Sequence, residues 1–254
     1  MKVYFLGTGT SQGIPVIGSD HPVCKSNDPK DKRLRVSVWI SWDNYNVVID
    51  CGPDFRQQML TSGCVKIDAL LYTHEHSDHT AGMDDIRPFN FRQGAMPIYA
   101  HKRVIENLKK RFDYVFETVN KYPGAPSVKP IEVINNVAFE LGGKRCVPIN
   151  VYHADLQVFG YRIDDFAYLT DVKTIETSEI EKLKGLKVLV INALREESHQ
   201  SHFNLQEALD FITLVQPEKT YLTHISHTFG FHTEIQKKLP ANVFVAYDNL
   251  QIEI

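Results

Sequence analysis

Long hydrophobic runs are missing from this 254-residue chain. No stretch approaches the roughly 18 apolar residues that a membrane-spanning helix needs, and the apolar run near the start, Val3 to Leu6, is too short for the core of a signal peptide. Cysteine is scarce: Cys24, Cys51, Cys64 and Cys146 lie far apart in a chain large enough to need no disulfide staples. Free thiols or metal ligation are expected instead, in a cytoplasmic protein. A strong charge of either sign is lacking too. A net charge of -3 argues against a broad basic face for gripping a phosphate backbone, so neither nucleic acid nor a membrane is the expected partner. No internal repeat of fixed short period is found, which excludes a repeat array.

What is present is ordinary in bulk. With 43% hydrophobic and 23% charged residues, the composition fits a soluble globular protein, expected to form a single domain over 1-254. Short runs rich in Val, Ile, Tyr and Phe recur at 3–6, 36–42, 47–49, 69–72, 147–152, 188–191 and 243–247, with lengths that suit strands. Helical signals fall between them. Asn204 with Glu207 makes a capping box ahead of Leu205, Ala208, Leu209 and Ile212, and Ser178 with Glu181 suggests a second start. A more basic segment from Lys102 to about Phe116 reads as a third helix. Residues 121–130, with three prolines and a glycine, read as a loop, either a cover for a site or an exposed connection. The fold class expected is α/β, two sheets with helices outside.

Histidine is the unusual residue, with 11 copies and several of them near aspartate. The apolar run Ala69 to Tyr72 passes through Thr73 into His74-Glu75-His76-Ser77-Asp78-His79. A strand ending in three imidazoles and a carboxylate sets metal-capable groups on a turn held by rigid sheet, and both ligand types suit zinc and similar divalent ions. His74 and His76, two apart on extended chain, project to one side and can share a metal, while Asp78 and His79 on the next turn can reach a neighbouring one. The spacing predicts a binuclear site; a surface His-rich turn is the plainer alternative and does not account for this density at a strand end. Four ligands leave two metals short. His153, Asp171 and His224 each close an apolar strand-like run; any one alone reads as a structural hydrogen-bonding group, but three in the same context favour the site.

His74, His76, Asp78 and His79 spell His-x-His-x-Asp-His, and on that motif the sequence resembles the metallo-β-lactamase superfamily over nearly its whole length. The resemblance implies a metallo-β-lactamase αββα sandwich, two mixed β-sheets flanked by helices. It implies His74, His76 and His153 on one metal, Asp78, His79 and His224 on the other, and Asp171 bridging both. Phe5 to Thr10 and Val48 to Gly52 look like the family's early strands. Leu222 to His227, Ala246 to Leu250 and Ser201 to Asn204 are similar to segments of the PhnP-like enzymes, phosphoribosyl cyclic phosphodiesterases. That closer likeness implies a small cyclic phosphodiester substrate and two divalent ions, zinc or manganese, with iron a further option.

Two such ions, roughly 3.5–4 Å apart, lower the pKa of a shared water and neutralise phosphate charge. The leaving alkoxide needs a proton, and imidazole is its default source. His202, just ahead of the helix at Asn204, is the candidate acid, at the position that the resemblance implies for it; an exposed helix-flanking histidine is the alternative, and His199 is a weaker rival. Asp78 has a second catalytic role open to it, accepting a hydrogen bond from the water. Arg87 offers a planar donor fork to a substrate phosphate, although a structural ion pair suits its spacing equally. PhnP-like proteins also carry a structural zinc on three early cysteines and a late histidine. Ser19, His21 and Cys24 stand at the cysteine positions here and His227 at the late one, so His21, Cys24 and His227 form a candidate second metal site, with Asp20 or water for the fourth place.

Other chemistries share the motif. An RNA-processing nuclease resembling the transfer-RNA end-processing enzymes is the main alternative, disfavoured by the weak charge. Thiolester or lactam hydrolysis is open as well. Redox chemistry with iron needs a flavin or electron carrier for which no domain is left over, and a ligand-binding protein with a dead site does not fit a full set of candidate ligands. A homodimer is the candidate assembly.

Overall fold

The β-branched and aromatic runs become strands whose period-two alternation feeds two different cores. In the computed structural model, which describes residues 1–254, the first sheet holds β1 (Lys2–Gly7), β2 (Ser37–Trp42), β3 (Tyr45–Ile49), β4 (Ala69–Leu71), β5 (Met96–Ala100) and β6 (Val128–Glu132). The second holds β7 (Phe139–Leu141), β8 (Lys144–His153), β9 (Leu156–Ile163), β10 (Phe166–Tyr168), β11 (Thr174–Ile175), β12 (Val188–Asn192), β13 (Lys219–Thr223) and β14 (Val243–Val245). The last strand, β15 (Gln251–Glu253), returns to pair with β1. Both sheets are mixed: β1 to β3 are antiparallel and β3 to β6 parallel, while β8 to β10 are antiparallel and β10, β12, β13 and β14 parallel.

The helices, in chain order, are α1 (Phe55–Ser62), α2 (Ser77–Thr80), α3 (Arg87–Gln93), α4 (Lys102–Arg111), α5 (Asp113–Phe116), α6 (Thr177–Glu181), α7 (Leu205–Val215) and α8 (His232–Lys238). Along β3, Val47 and Ile49 pack toward the second sheet while Val48 packs with Phe55, Met59 and Leu108 of the helices. On β12, Val188 and Val190 join the core between the sheets, and Leu189 and Ile191 join Phe211 and Ile212 of α7. Strands buried on both faces in this way need helices on both outer sides, and the expected αββα sandwich is what the chain forms.

Three local expectations shift. The segment from Lys102 to Phe116 breaks into α4 and α5 at Phe112, whose φ of -129° and ψ of 47° leave helical space. Ser178 does not cap α6, which starts one residue earlier behind Glu176. Residues 128–130 of the expected loop belong to β6, where Pro130 is tolerated because β6 is the edge of its sheet. The capping box at Asn204 is formed in full. No helix is long and apolar enough to cross a membrane.

The loops that matter leave the carboxyl ends of strands, where open α/β sheets place their ligands. Two bonds stitch the sheets together beneath them. The Tyr161 hydroxyl donates to the Tyr72 carbonyl at 2.7 Å, and the Phe159 N–H to the Thr73 carbonyl at 3.1 Å.

Candidate metal centre

From the end of β4 the chain runs through Tyr72 and Thr73 into the histidine segment. His76 is still extended (φ -60°, ψ 152°) and begins α2, so Asp78 and His79 lie on that helix's single turn. The rings of His74 and His76 stand 4.5 Å apart, those of His74 and His79 4.2 Å, and those of His76 and His153 5.3 Å. The second sheet supplies His153 at the end of β8, Asp171 after β10 and His224 directly after β13. Asp171 lies centrally, Oδ2 being 3.3 Å from His79 Nε2 and Oδ1 3.3 Å from His224 Nε2. Asp78 Oδ2 is 3.2 Å from His79 Nε2 and 3.7 Å from His224 Nε2.

Ligand-capable atoms lie within 4.8 Å of one another in three groups: His74, His79 and Asp171; Asp78, His79 and His224; and His153, Asp171 and His202. The second group matches one of the ligand sets implied by the motif. His76 belongs to none of the three and joins the centre through its ring contacts with His74 and His153. Asp50, Asp171 and His224 all take left-handed backbone conformations (φ 65°, 58° and 56°), which cost on the order of 1 kcal/mol for a residue with a Cβ. Such strain concentrates where a side chain must be aimed.

Sequence reasoning missed Asp50. Fully buried behind β3, its carboxylate accepts from the Thr73 N–H at 2.8 Å, the Thr73 hydroxyl at 2.9 Å and His79 Nδ1 at 2.7 Å. The last bond fixes the His79 tautomer and turns Nε2 toward the centre. His153 is held in the same way by the Ser201 carbonyl, 2.7 Å from Nδ1. The signal for Asp50 was available: it is a carboxylate at the end of the apolar run Val47 to Ile49, the context in which Asp171 was recognised.

The two carboxylates that face the centre, Asp78 and Asp171, are held in their charged form. Burial pushes the Asp50 carboxyl up, with His79 and Thr73 opposing. For Asp78 the upward push of burial is reversed by His79 and His224, which hold the carboxyl well below the usual range; Asp171 is held down against burial by His224, His79 and His74. His74 is driven down by burial and by His79, toward the neutral form that binds metal. The buried Nε2 atoms of His74, His79 and His224 have no hydrogen-bond partner, although nearly all buried polar atoms have one. Unpaired imidazole nitrogens converging on two aspartates are a donor set that fits the two divalent ions implied by the fold, with zinc, manganese and iron all suited to it.

His202 lies against this centre and is not an exposed flanking residue. It is 8% exposed, its ring 4.4 Å from that of His153 and 4.8 Å from that of His224, with Nδ1 3.8 Å from Asp171 Oδ1. Burial and His224 push it down to about 2. His199 is one ring farther out, 5.1 Å from His202. Arg87 commits Nη2 to the Asp84 carboxylate at 2.7 and 2.8 Å, the structural ion pair, with the Tyr122 hydroxyl of the 121–130 loop 3.5 Å away.

The second candidate set is only partly gathered. The His21 and His227 rings are 5.0 Å apart, but Cys24 Sγ accepts the Val16 N–H at 3.5 Å and packs with Ile14 and Val23, and no three-ligand group includes it. Ser19 accepts the His21 N–H, and Asp20 pairs with Lys25 at 2.6 Å instead of facing the histidines.

Residues 45–225 match the family described as the beta-lactamase superfamily domain, a span that encloses every residue of the centre. A diphosphatase from the PhnP family, known from its crystal structure, superposes with a TM-score of 0.92 at 39% identity, covering 100% of this chain and 97% of that one. Zinc-bound PqqB from Methylobacterium extorquens shares the fold at a TM-score of 0.81 and 15% identity, with 100% of both chains covered. An octanoyltransferase from Porphyromonas gingivalis is 39% identical over 99% of this chain and 51% of its own length. The chain thus spans about half the length of the first curated relatives it matches, and the octanoyltransferase activity is that of the longer protein. With 39% identity to the diphosphatase sustained over both chains, the protein belongs to the metallo-β-lactamase superfamily and, within it, to the PhnP family.

Proposed function

We propose that the protein is a binuclear metal-dependent hydrolase that cleaves a small phosphodiester, with a ribose cyclic phosphate as the candidate substrate, in the cytoplasm. The observation that carries this reading is His202, a buried imidazole set beside the ligand cluster where a leaving oxygen can take its proton. His74, His76 and His153 would hold one ion, Asp78, His79 and His224 the other, and Asp171 both. When bound, the ions supply an acidified water and offset phosphoryl charge.

The remaining work belongs to the chain. Asp50 and the Ser201 carbonyl fix the tautomers of His79 and His153. Asp78, besides ligating, accepts a hydrogen bond from the attacking water and orients it. His202 donates to the leaving alkoxide. Burial disfavours its charged form in the free protein; the negative charge of a bound phosphate favours the imidazolium, which takes its proton from solvent before the ester bond breaks. The likeness to a PhnP-family diphosphatase supports phosphoester chemistry, and the net charge of -3 supports a small substrate over a polynucleotide.

The test is turnover of cyclic and linear phosphodiesters, a transfer-RNA precursor and a thiolester by protein whose metals have been quantified. Cyclic ribose phosphates are expected to be cleaved fastest. His202→Ala should lower kcat by about 10²–10⁴ for an alkoxide leaving group, and far less for a nitrophenolate, which needs no proton. Preference for the RNA or the thiolester, or an equal loss on both leaving groups, would overturn the reading.

A further inference from the structure

Within the histidine segment sits a carboxylate that the centre itself does not use. His74 and His76 project to one side of extended chain and Glu75 to the other, where Arg103 meets it. Nε lies 2.9 Å from Oε1 and Nη2 3.1 Å from Oε2, a two-pronged ion pair whose carboxylate side chain is only 16% exposed. Arg103 Nη2 also donates to the Gln157 carbonyl. Gln157 lies on β9 and pairs with Tyr152, the neighbour of His153, in the β8–β9 hairpin. One guanidinium thus links the residue between His74 and His76 to the hairpin of the other sheet that carries His153. We infer that Arg103 is a positioning residue for one of the two metal sites: through Glu75 and Gln157 it fixes the His74 and His76 pair against His153, and it leaves the other ion's ligands alone. This role rests on the ligand sets proposed above and deepens them.

A guanidinium fork on a carboxylate restrains rotation as well as distance. His79 and His153 have their Nδ1 atoms held by Asp50 and by the Ser201 carbonyl. His76 is oriented by its backbone and by ring contacts with His74 and His153, so its direction depends on the anchored residue just before it. The anchor is itself fixed. Arg103 is the second residue of α4, where His101 Nδ1 accepts its N–H at 3.2 Å, and α4 is fastened to the core by the buried Val104, Ile105 and Leu108. Arg111, farther along α4, serves a different span: Nη1 donates to the Glu75 carbonyl at 2.9 Å and the Thr80 hydroxyl at 2.8 Å, and Nη2 to the Ser77 hydroxyl at 3.3 Å. It brackets the turn of Asp78 and His79, whereas Arg103 alone reaches the His153 hairpin. A partly exposed ion pair contributes little to stability by itself, so losing it should show in the placement of ligands.

The experiment is zinc titration of the apoprotein against a chromogenic chelator, with NMR of the histidine side chains in parallel. His76 and His153 report one ion, His79 and His224 the other. Arg103→Met, which keeps the aliphatic stem, should weaken the ion at His76 and His153 about 10- to 100-fold, as loss of an outer partner of metal ligands does. The ion at His79 and His224 should weaken by no more than about twofold, the scatter between independent sites. Glu75→Gln should reproduce the selective loss, and Arg103→Lys, which keeps the charge without the fork, should recover part of the affinity. Leu108→Ala gives the structural comparison. It truncates a fully buried side chain of the same helix, should lower the urea midpoint, and should leave the two affinities in their wild-type ratio. Equal weakening of both ions by Arg103→Met, or unchanged affinity at His76 and His153, overturns the role assigned to Arg103. Because binding is read and not turnover, a protein that shows the selective loss yet cleaves no phosphodiester would refute the hydrolytic reading and leave Arg103 in its role. A wild type that holds no ion at His76 and His153 would overturn the ligand sets and that role together.

Discussion

Asp50 spends all of its hydrogen-bonding capacity on positioning. Its three donors come from Thr73 and His79, so its effect on a bound ion passes through the orientation of one imidazole. An amide there would set an NH₂ group against either the Thr73 donors or His79 Nδ1. Asp50→Asn is accordingly expected to lower metal affinity about 10- to 100-fold, read by competition with a chromogenic chelator; unchanged affinity would mean that ring packing alone holds His79. The same residue shows why part of the centre was legible and part was not. His74, His76, Asp78 and His79 announce themselves because type and spacing are local. Asp50 acts on a residue 29 positions later, and its partner is set by strand pairing that the sequence does not spell out. Arg87 sat between two readings; Asp84, three residues earlier and one helical turn away, was the local sign that favoured the ion pair. Cys24 was read by position, whereas its contacts with Ile14, Val23 and the Val16 N–H come from tertiary packing.

The histidine segment is kept in place by a close backbone approach between two elements. The Cys51 N–H donates to the His79 carbonyl at 2.8 Å and the Gly82 N–H to the Cys51 carbonyl at 2.9 Å, joining the loop after β3 to α2. A Cβ on Gly52 would fall 2.0 Å from the Asp78 carbonyl oxygen, and one on Gly82 2.1 Å from the Gly52 carbonyl oxygen. Backbone atoms cannot swing aside as a side-chain tip can. Gly52→Ala is therefore expected to destabilise the protein by about 2 kcal/mol or more and to lose metal affinity with it, since the displaced turn carries Asp78 and His79. Gly18, with nothing within 4 Å of an added Cβ, gives the control: its left-handed φ of 73° makes Gly18→Ala costly by about 1 kcal/mol only, with metal binding intact. Urea midpoints with and without chelator read both effects, and equal losses would refute the close-approach argument. Long strands and the Asn204 helix were readable because each repeats its pattern over several residues. The four-residue α2 is too short to show a period, and the break at Phe112 lies in a backbone angle that composition does not reveal.

At the scale of the whole molecule, a buried polar cluster ties the start of the chain to its end. Arg33, 4% exposed, donates to the Thr8 hydroxyl at 2.7 Å and the Ala246 carbonyl at 2.6 Å, and Nη2 lies 3.4 Å from His232 Nδ1. Asp248 accepts from the Thr8 hydroxyl at 2.7 Å and the Leu34 N–H at 2.6 Å, and Asp31 accepts the His232 N–H at 2.8 Å. Burial, with Arg33 and Lys30, pushes His232 down to about 4 from an ordinary 6.5. Between those values the unfolded chain takes up a proton that the folded chain refuses, so this contribution to stability is complete above pH 6.5 and declines as pH falls toward 4, by up to about 1.4 kcal/mol per pH unit. Asp248 acts in the opposite sense. Burial pushes it up to about 6 from 3.8, so between those values the folded chain keeps a proton that the unfolded chain releases, and acidification through that window stabilises. The two largely cancel between about pH 4 and 6. Removing either one exposes the other: His232→Gln should reduce the loss of stability between pH 7 and 4.5, and Asp248→Asn should enlarge it, each relative to wild type in urea unfolding. Substitutions that shifted both pH values equally would show that the cluster contributes packing but no proton linkage. Because Arg33 touches the loops after β1 and β14 together, the change should appear as one cooperative transition for the whole chain, with no separate melting of its C-terminal part.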